Sequence, residues 1–290
     1  MTQKKGHRVG AFKGAPSDLE VVKRVPETPQ TRSAAYRLAF ADEDFLLSED
    51  LRQVRLQLEY LKPEMMLAER GINSTVVLFG GARIPEPGKP AWAAKNETAK
   101  RNLERNSRYY DEARAFARLA SEVSKTTDFS EYVVVTGGGP GVMEAGNRGA
   151  ADAGAPSIGL GIVLPREEAP NPYVTPELCF NFHYFAIRKM HFLVRAKAIA
   201  VFPGGFGTMD ELFETLTLIQ TGRMERVPVL LFGKSFWERV IDLNVLAEEG
   251  TISPEDVNLF QAVDTAEEGW NIVSRFYGED NAVNGSGEAR

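Results

Sequence analysis

From Gly71 onward the chain alternates short runs of consecutive apolar, largely β-branched residues with longer segments of helical periodicity. Runs at 75–79, 132–136, 157–164, 198–202, 227–232 and, more weakly, 260–263 read as strands. Segments at 107–125, 142–153, 185–197, 208–221, 236–247 and 266–276 read as helices. Strands that are apolar throughout are buried on both faces, and the helices between them supply the crossovers. The pattern therefore predicts an α/β fold, a Rossmann-like doubly wound parallel sheet flanked by helices. Ahead of it, residues 31–70 carry apolar residues at helical spacing, which predicts an N-terminal helical extension of two helices, the second kinked or shortened at Pro63. Residues 1–30 mix Lys, Gly, Pro, Ser and Thr without periodicity and read as a flexible arm. Residues 278–290, rich in Gly, Asn and Glu, read as a disordered tail. The nucleotide-binding, catalytic part is expected at 71–277.

Composition narrows the ligands. With 34 Lys+Arg against 40 Asp+Glu, and the basic residues dispersed after the first segment, a nucleic-acid partner is not expected. Cys179 is the only cysteine, which excludes an intramolecular disulfide and suits a reducing cytoplasm. Of the histidines, His7, His183 and His191, no pair has metal-site spacing, so no metal and no cofactor is expected. His183 and His191 sit among aromatic residues and read as packed. No window is long and apolar enough for a membrane span, and no membrane partner is expected.

In an open parallel sheet, ligands bind beyond the carboxyl ends of the strands, which makes the residues directly after each strand informative. Two such turns are glycine-rich: Gly137-Gly138-Gly139-Pro140-Gly141 and Gly204-Gly205-Phe206-Gly207-Thr208. Glycine lets backbone approach a ligand closely, and the free amides of the following helix favour phosphate. Such turns also need glycine for backbone reasons alone, but two in one sheet point to a ligand edge. Neither fits the dinucleotide or P-loop fingerprints. Gly138, Gly139, Gly204, Gly205, Gly207 and Thr208 are the binding candidates, with Gly81 and Arg83 as weaker ones after the first strand.

Glu211 follows Thr208 by three residues, the spacing of a capping box, in which each side chain satisfies a backbone donor of the other. Its place beside a phosphate turn gives it a second reading, as a carboxylate kept ionised by helix-start amides. Arg188 and Lys189 leave an aromatic-rich stretch near the inferred ligand edge, and Glu144 lies just inside the helix after the first glycine turn. Solvated basic residues and an ordinary first-turn acid are the plainer readings of these. No GxSxG elbow is present, so acyl chemistry is not indicated.

The segments GGGPGVMEAGNRGA and PGGFGTMDE, with Arg188-Lys189 between them, resemble the LOG family of cytokinin-activating phosphoribohydrolases, long described as possible lysine decarboxylases. The resemblance implies hydrolysis of the N-glycosidic bond of an adenine-type nucleoside 5′-monophosphate, giving free base and ribose 5-phosphate. It places the 5′-phosphate on Gly204, Gly205, Gly207 and Thr208, with Arg188 and Glu211 catalytic and the protein a homodimer or higher oligomer. Glu144 and the lead-in Tyr184-Phe185-Ala186-Ile187 depart from short plant-type members, and the chain resembles a longer bacterial branch acting on AMP. Molybdenum-cofactor carriers share a related turn, so a non-catalytic carrier is the alternative. A pyridoxal-phosphate decarboxylase would need a lysine set up for a Schiff base, and no motif provides one.

Overall fold

The computed structural model describes residues 13–165 and 169–284, and its contacts divide the chain into two units, Met1–Leu58 and Glu59–Arg290. In the first unit, α1 (Ala15–Val22) lies inside the segment expected to be an arm; residues 1–12 of that segment fall outside the described residues. The expected pair of helices over 31–70 is instead a series of short turns, α2 (Glu43–Leu46), and one long helix, α3 (Arg52–Glu69). Ser33 and Asp42 explain the interruptions, since their side chains accept backbone N–H groups and cap each short turn. Helix α3 continues past Pro63 to Glu69, losing one backbone bond while burying the ring. The unit boundary lies at 58/59, not at the expected 70/71, because Leu67 of α3 joins the core beneath the sheet.

The second unit is built on β1 (Thr75–Phe79), followed by α4 (Glu97–Asn106), α5 (Arg108–Lys125), β2 (Val133–Thr136), α6 (Val142–Asp152), β3 (Ser157–Ile162) and β4 (Cys179–Phe182). Then come α7 (Phe185–Leu193), β5 (Ala196–Val201), α8 (Phe206–Gln220), β6 (Val229–Phe232), α9 (Lys234–Val240), α10 (Leu243–Glu248), β7 (Gln261–Val263) and α11 (Ala266–Asn284). The strands form a seven-stranded sheet in the order β4-β3-β2-β1-β5-β6-β7, and every pair is parallel. This is the expected Rossmann-like architecture.

The strand period of two splits the apolar residues into two cores. Val77, Phe79, Ile199, Val201 and Leu231 face one side, where they pack with Leu67 of α3, Phe192 of α7 and Leu212 of α8. Val76, Leu78, Ala198, Ala200 and Leu230 face the other, against Phe116 of α5, Ala145 of α6 and Val273 of α11. Each central strand is thus buried on both faces, which is why its sequence reads as an unbroken apolar run.

Two elements escape that reading. Strand β4 is an edge strand with only Phe180 and Phe182 buried, so it lacks an apolar run. Helix α4 is strongly polar and buries no residue. The expected helix over 236–247 is two helices, because Asp242 caps α10 by accepting from the Asn244 amide. Helix α11 continues to Asn284 through part of the expected tail, whose residues 285–290 lie outside the described residues.

Helices α5 and α6 cross closely at Gly149, where an added Cβ would collide with the Arg114 carbonyl. Gly149→Ala, which at an exposed helical site gains up to about 1 kcal/mol, should here lose about 1–3 kcal/mol by overpacking. Chemical denaturation measures the sign; a stabilised variant contradicts the close crossing.

Candidate functional site

The order of winding reverses at β1, which lies between β2 and β5, so the carboxyl ends of these three strands open one crevice. Backbone bonds tie its rim: the Gly81 amide donates to the Pro203 carbonyl at 3.0 Å, and the Val142 amide donates to the Gly81 carbonyl at 3.3 Å. At Gly80 a Cβ would stand 2.5 Å from Val142 Cγ1, so this turn is glycine for packing. The crevice is a cleft of about 900 Å³ whose lining includes Gly81, Arg83, Arg188, Gly204, Gly205, Gly207, Thr208 and Glu211.

The first glycine turn does something other than expected. Gly138 and Gly139 do not line the cleft. Their carbonyls accept from the buried Asn171 side chain at 3.0 Å each, and the Gly138 amide donates to Thr136 Oγ1. Gly137 does line it, and a Cβ there would lie 2.8 Å from Arg188 Nη2 and 2.7 Å from Met143 Sδ. The turn makes room for the arginine. Arg188, on α7, is held by donation from Nε to the Leu160 carbonyl at 2.7 Å, with its guanidinium 5.1 Å from the Phe192 ring centroid. Burial pulls its pKa below the ordinary value, and Glu211 opposes that shift.

At the end of β5 the chain enters α8 at Phe206 with Gly205 as its N-cap and no side-chain cap. Thr208 is therefore already helical, and the expected capping box with Glu211 does not form. Gly204 is required by packing, since a Cβ would collide with Thr208 Oγ1, whereas Cβ atoms at Gly205 and Gly207 would meet no protein atom within 4 Å. Glu211 lies one turn further on, only 5% exposed, and its Oε2 has no hydrogen-bond partner. Burial pushes its pKa up to about 7, against the pull of Lys189 and Arg188. The expected full ionisation by helix-start amides is overturned, because the carboxylate sits beyond the first turn and desolvation is the largest effect.

Lys189 is not brought into the cleft with Arg188: its ammonium pairs with Asp210 and Glu214, each at 2.8 Å. Burial pulls its pKa down, but those hydrogen bonds outweigh it and the pKa is raised. Glu144 is also absent from the lining and accepts from the Tyr110 hydroxyl at 2.7 Å. His191 is buried as expected, while His183 is exposed, on the outer side of the edge strand's end. The lining adds residues that sequence reasoning missed: Met143, Leu103 and Asn106 of α4, and Phe236 and Val240 of α9. Phe236 follows β6 and was reachable by the strand-end rule; α4 gave too little signal because Ala99 and Leu103 are its only apolar residues. Among the described residues, none lining the cleft is a lysine and no cluster of three His, Cys, Asp or Glu could hold a metal ion. No helix among them is long and apolar enough to cross a membrane.

Residues 143–273 match the family model described as "Possible lysine decarboxylase". A cytokinin riboside 5′-monophosphate phosphoribohydrolase of Arabidopsis thaliana, LOG3, is 28% identical over 139 residues, which are 47% of this chain and 63% of that protein. Its relative LOG1 is 26% identical over 139 residues, 47% of this chain and 64% of that protein. The chain resembles the LOG family. It spans just under two thirds of the length of these LOG relatives. Among solved structures, a molybdenum cofactor binding protein of Rippkaea orientalis covers 71% of this chain and 98% of its own at 15% identity and a TM-score of 0.45. The carrier protein of Chlamydomonas reinhardtii aligns at 16% identity and a TM-score of 0.44, over 71% of this chain and 99% of its own.

The raised pKa of Glu211 has a stability consequence. A carboxyl whose folded pKa lies above its unfolded value stabilises fully below pH 4.5, and that contribution is lost as pH rises through about 7. Glu211→Gln cannot ionise, so its stability relative to the parent should rise by on the order of 3 kcal/mol between pH 5 and pH 8.5. Denaturant melts at both pH values measure this. An equal gap at the two means that Glu211 titrates normally.

Proposed function

We propose that the chain hydrolyses the N-glycosidic bond of a purine nucleoside 5′-monophosphate, AMP or a cytokinin riboside 5′-monophosphate. The observation that carries the reading is the buried Glu211 carboxyl in the cleft, whose Oε2 has no hydrogen-bond partner among the described residues, with the half-buried Arg188 lining the same cleft. The similarity to LOG phosphoribohydrolases supports it.

The 5′-phosphate docks at the start of α8, where the first-turn amides have no helical acceptor. Gly205 and Gly207 line the cleft without a packing need for glycine, which suits close approach of a ligand. The ribose then reaches Glu211. As the C1′–N9 bond breaks, positive charge develops on the ribosyl centre and the electron pair leaves with the purine. Glu211 stabilises that charge and takes a proton from the attacking water, whose oxygen bonds to C1′. A pKa of about 7 suits such an exchange at neutral pH. The proton passes to the departing base, giving neutral adenine and ribose 5-phosphate. Arg188 keeps its proton and acts by charge, orienting the nucleotide and stabilising the leaving base.

A homodimer is part of the proposal. Phe206 is 97% exposed beside the cleft, and Phe185, Met190, Val194 and Phe213 on α7 and α8 are exposed with it. A reducing cytoplasm suits the exposed thiol of Cys179.

Incubation of the purified protein with AMP or prenylated AMP should release base and ribose 5-phosphate in equal amounts. Glu211→Gln should slow turnover by ~100-fold with binding retained. Neither substrate being cleaved sinks the proposal, and a pterin cofactor carried through purification would favour a carrier.

A further inference from the structure

We propose that Glu59, together with Glu64, is a positioning residue: from α3 the two carboxylates hold both ends of α7 and so fix where Arg188 projects into the cleft. The inference deepens the reading above and rests on it for the role of Arg188.

Helix α7 is only nine residues long, and its N-cap, Tyr184, supplies no side-chain cap. The cap comes from α3. The Glu59 carboxylate accepts from the His183 amide at 2.8 Å and from the Tyr184 amide at 3.1 Å. A carboxylate there faces the positive end of the helix and satisfies two free donors. Just past the other end, Arg195 donates both guanidinium arms to Glu64, one of them at 2.8 Å to Oε2. Glu64 Oε1 also lies 3.4 Å from Nδ1 of His191, and the His191 ring stacks on Tyr60 with centroids 5.3 Å apart.

Pro63 explains why this stretch of α3 is suited to the task. Lacking an amide hydrogen, it leaves the Glu59 carbonyl without its helical donor. Among the described residues the ring nitrogens of His191 have no hydrogen-bond partner, and the ring meets α3 by stacking on Tyr60. The same stretch of α3 thus presents carboxylates to both ends of α7 and the Tyr60 ring to its buried His191.

Arg188 sits between these anchors. Its own tether is the bond from Nε to Leu160, and Gly137 leaves its guanidinium no room for a side chain alongside. A shift of α7 by about 1 Å moves the charge away from the reacting centre, a displacement that can cost on the order of 100-fold in rate. Glu59 is not among the residues lining the cleft, so its route to the site is the helix.

The test uses Glu59→Ala, Glu59→Gln, and Lys62→Ala as an exposed control on the same helix. In ¹⁵N-labelled protein, the Arg188 Nε–H signal is identified by its loss in Arg188→Lys. It should shift and exchange with solvent at least about tenfold faster in Glu59→Ala, and be unchanged in Lys62→Ala. With AMP, Glu59→Ala should lower kcat about tenfold with little change in KM. Added to Arg188→Ala, it should cost nothing further, since the group it positions is gone. Glu59→Gln keeps one acceptor oxygen; it should show a smaller effect of the same kind, and it serves if the alanine variant does not fold. An unmoved Arg188 signal in a folded Glu59 variant overturns the proposal, as do losses that simply multiply. The signal needs no substrate, so a parent protein inert towards both AMP and prenylated AMP sinks the hydrolase reading alone and leaves this one to be decided by the spectrum.

Discussion

Pairing β1 with β5 as well as β2 is the constraint on which the site depends. It forces the chain to wind outward on one side of β1, return, and wind outward on the other. The crevice opens where the two windings part, and Pro203, Gly81 and Gly137 all line it. Both faces of the central strands are consumed by packing, so chemistry is confined to this edge. Every residue proposed to meet the substrate is reached from a strand end or from the first turns of the helix that follows or precedes it.

Charge is sorted within that edge by two neighbouring side chains. Lys189 pairs with Asp210 and Glu214, while Arg188 lines the cleft. The inner carboxylate, Glu211, is therefore left without a bonded partner among four charged neighbours. Desolvation then outweighs the two cations and raises its pKa. The result is a group poised between acid and base, created by burial and not by the helix terminus on which it stands.

The fold was legible because buried parallel strands and their crossovers impose different periods on the sequence. The glycine turn at 204–207 and the residues Arg188 and Glu211 were legible by the strand-end rule and by resemblance. Other features depend on partners far away in the chain and leave no local mark. Gly138 and Gly139 looked like ligand glycines, but Asn171 claims their carbonyls. Lys189 looked equivalent to Arg188, and only the approach of α8 separates them. Glu59 has the appearance of any surface acid on a helix, since its partners are backbone amides more than a hundred residues later. Strand β4 and helix α4 escaped for the opposite reason: a half-buried edge and a helix whose apolar residues are only Ala99 and Leu103 carry too little apolar signal.

The contact between Gly137 and Arg188 ties two distant positions to one history. Any side chain at 137 would crowd Arg188 Nη2 and Met143 Sδ, so the glycine is needed for as long as the arginine remains. Were the arginine replaced by something short, Met143 Sδ would still crowd a Cβ at 137, so the restriction belongs to both neighbours together. Glycine at 137 thus bears the imprint of one side chain far along the sequence and of another close by, neither of which the turn itself contains.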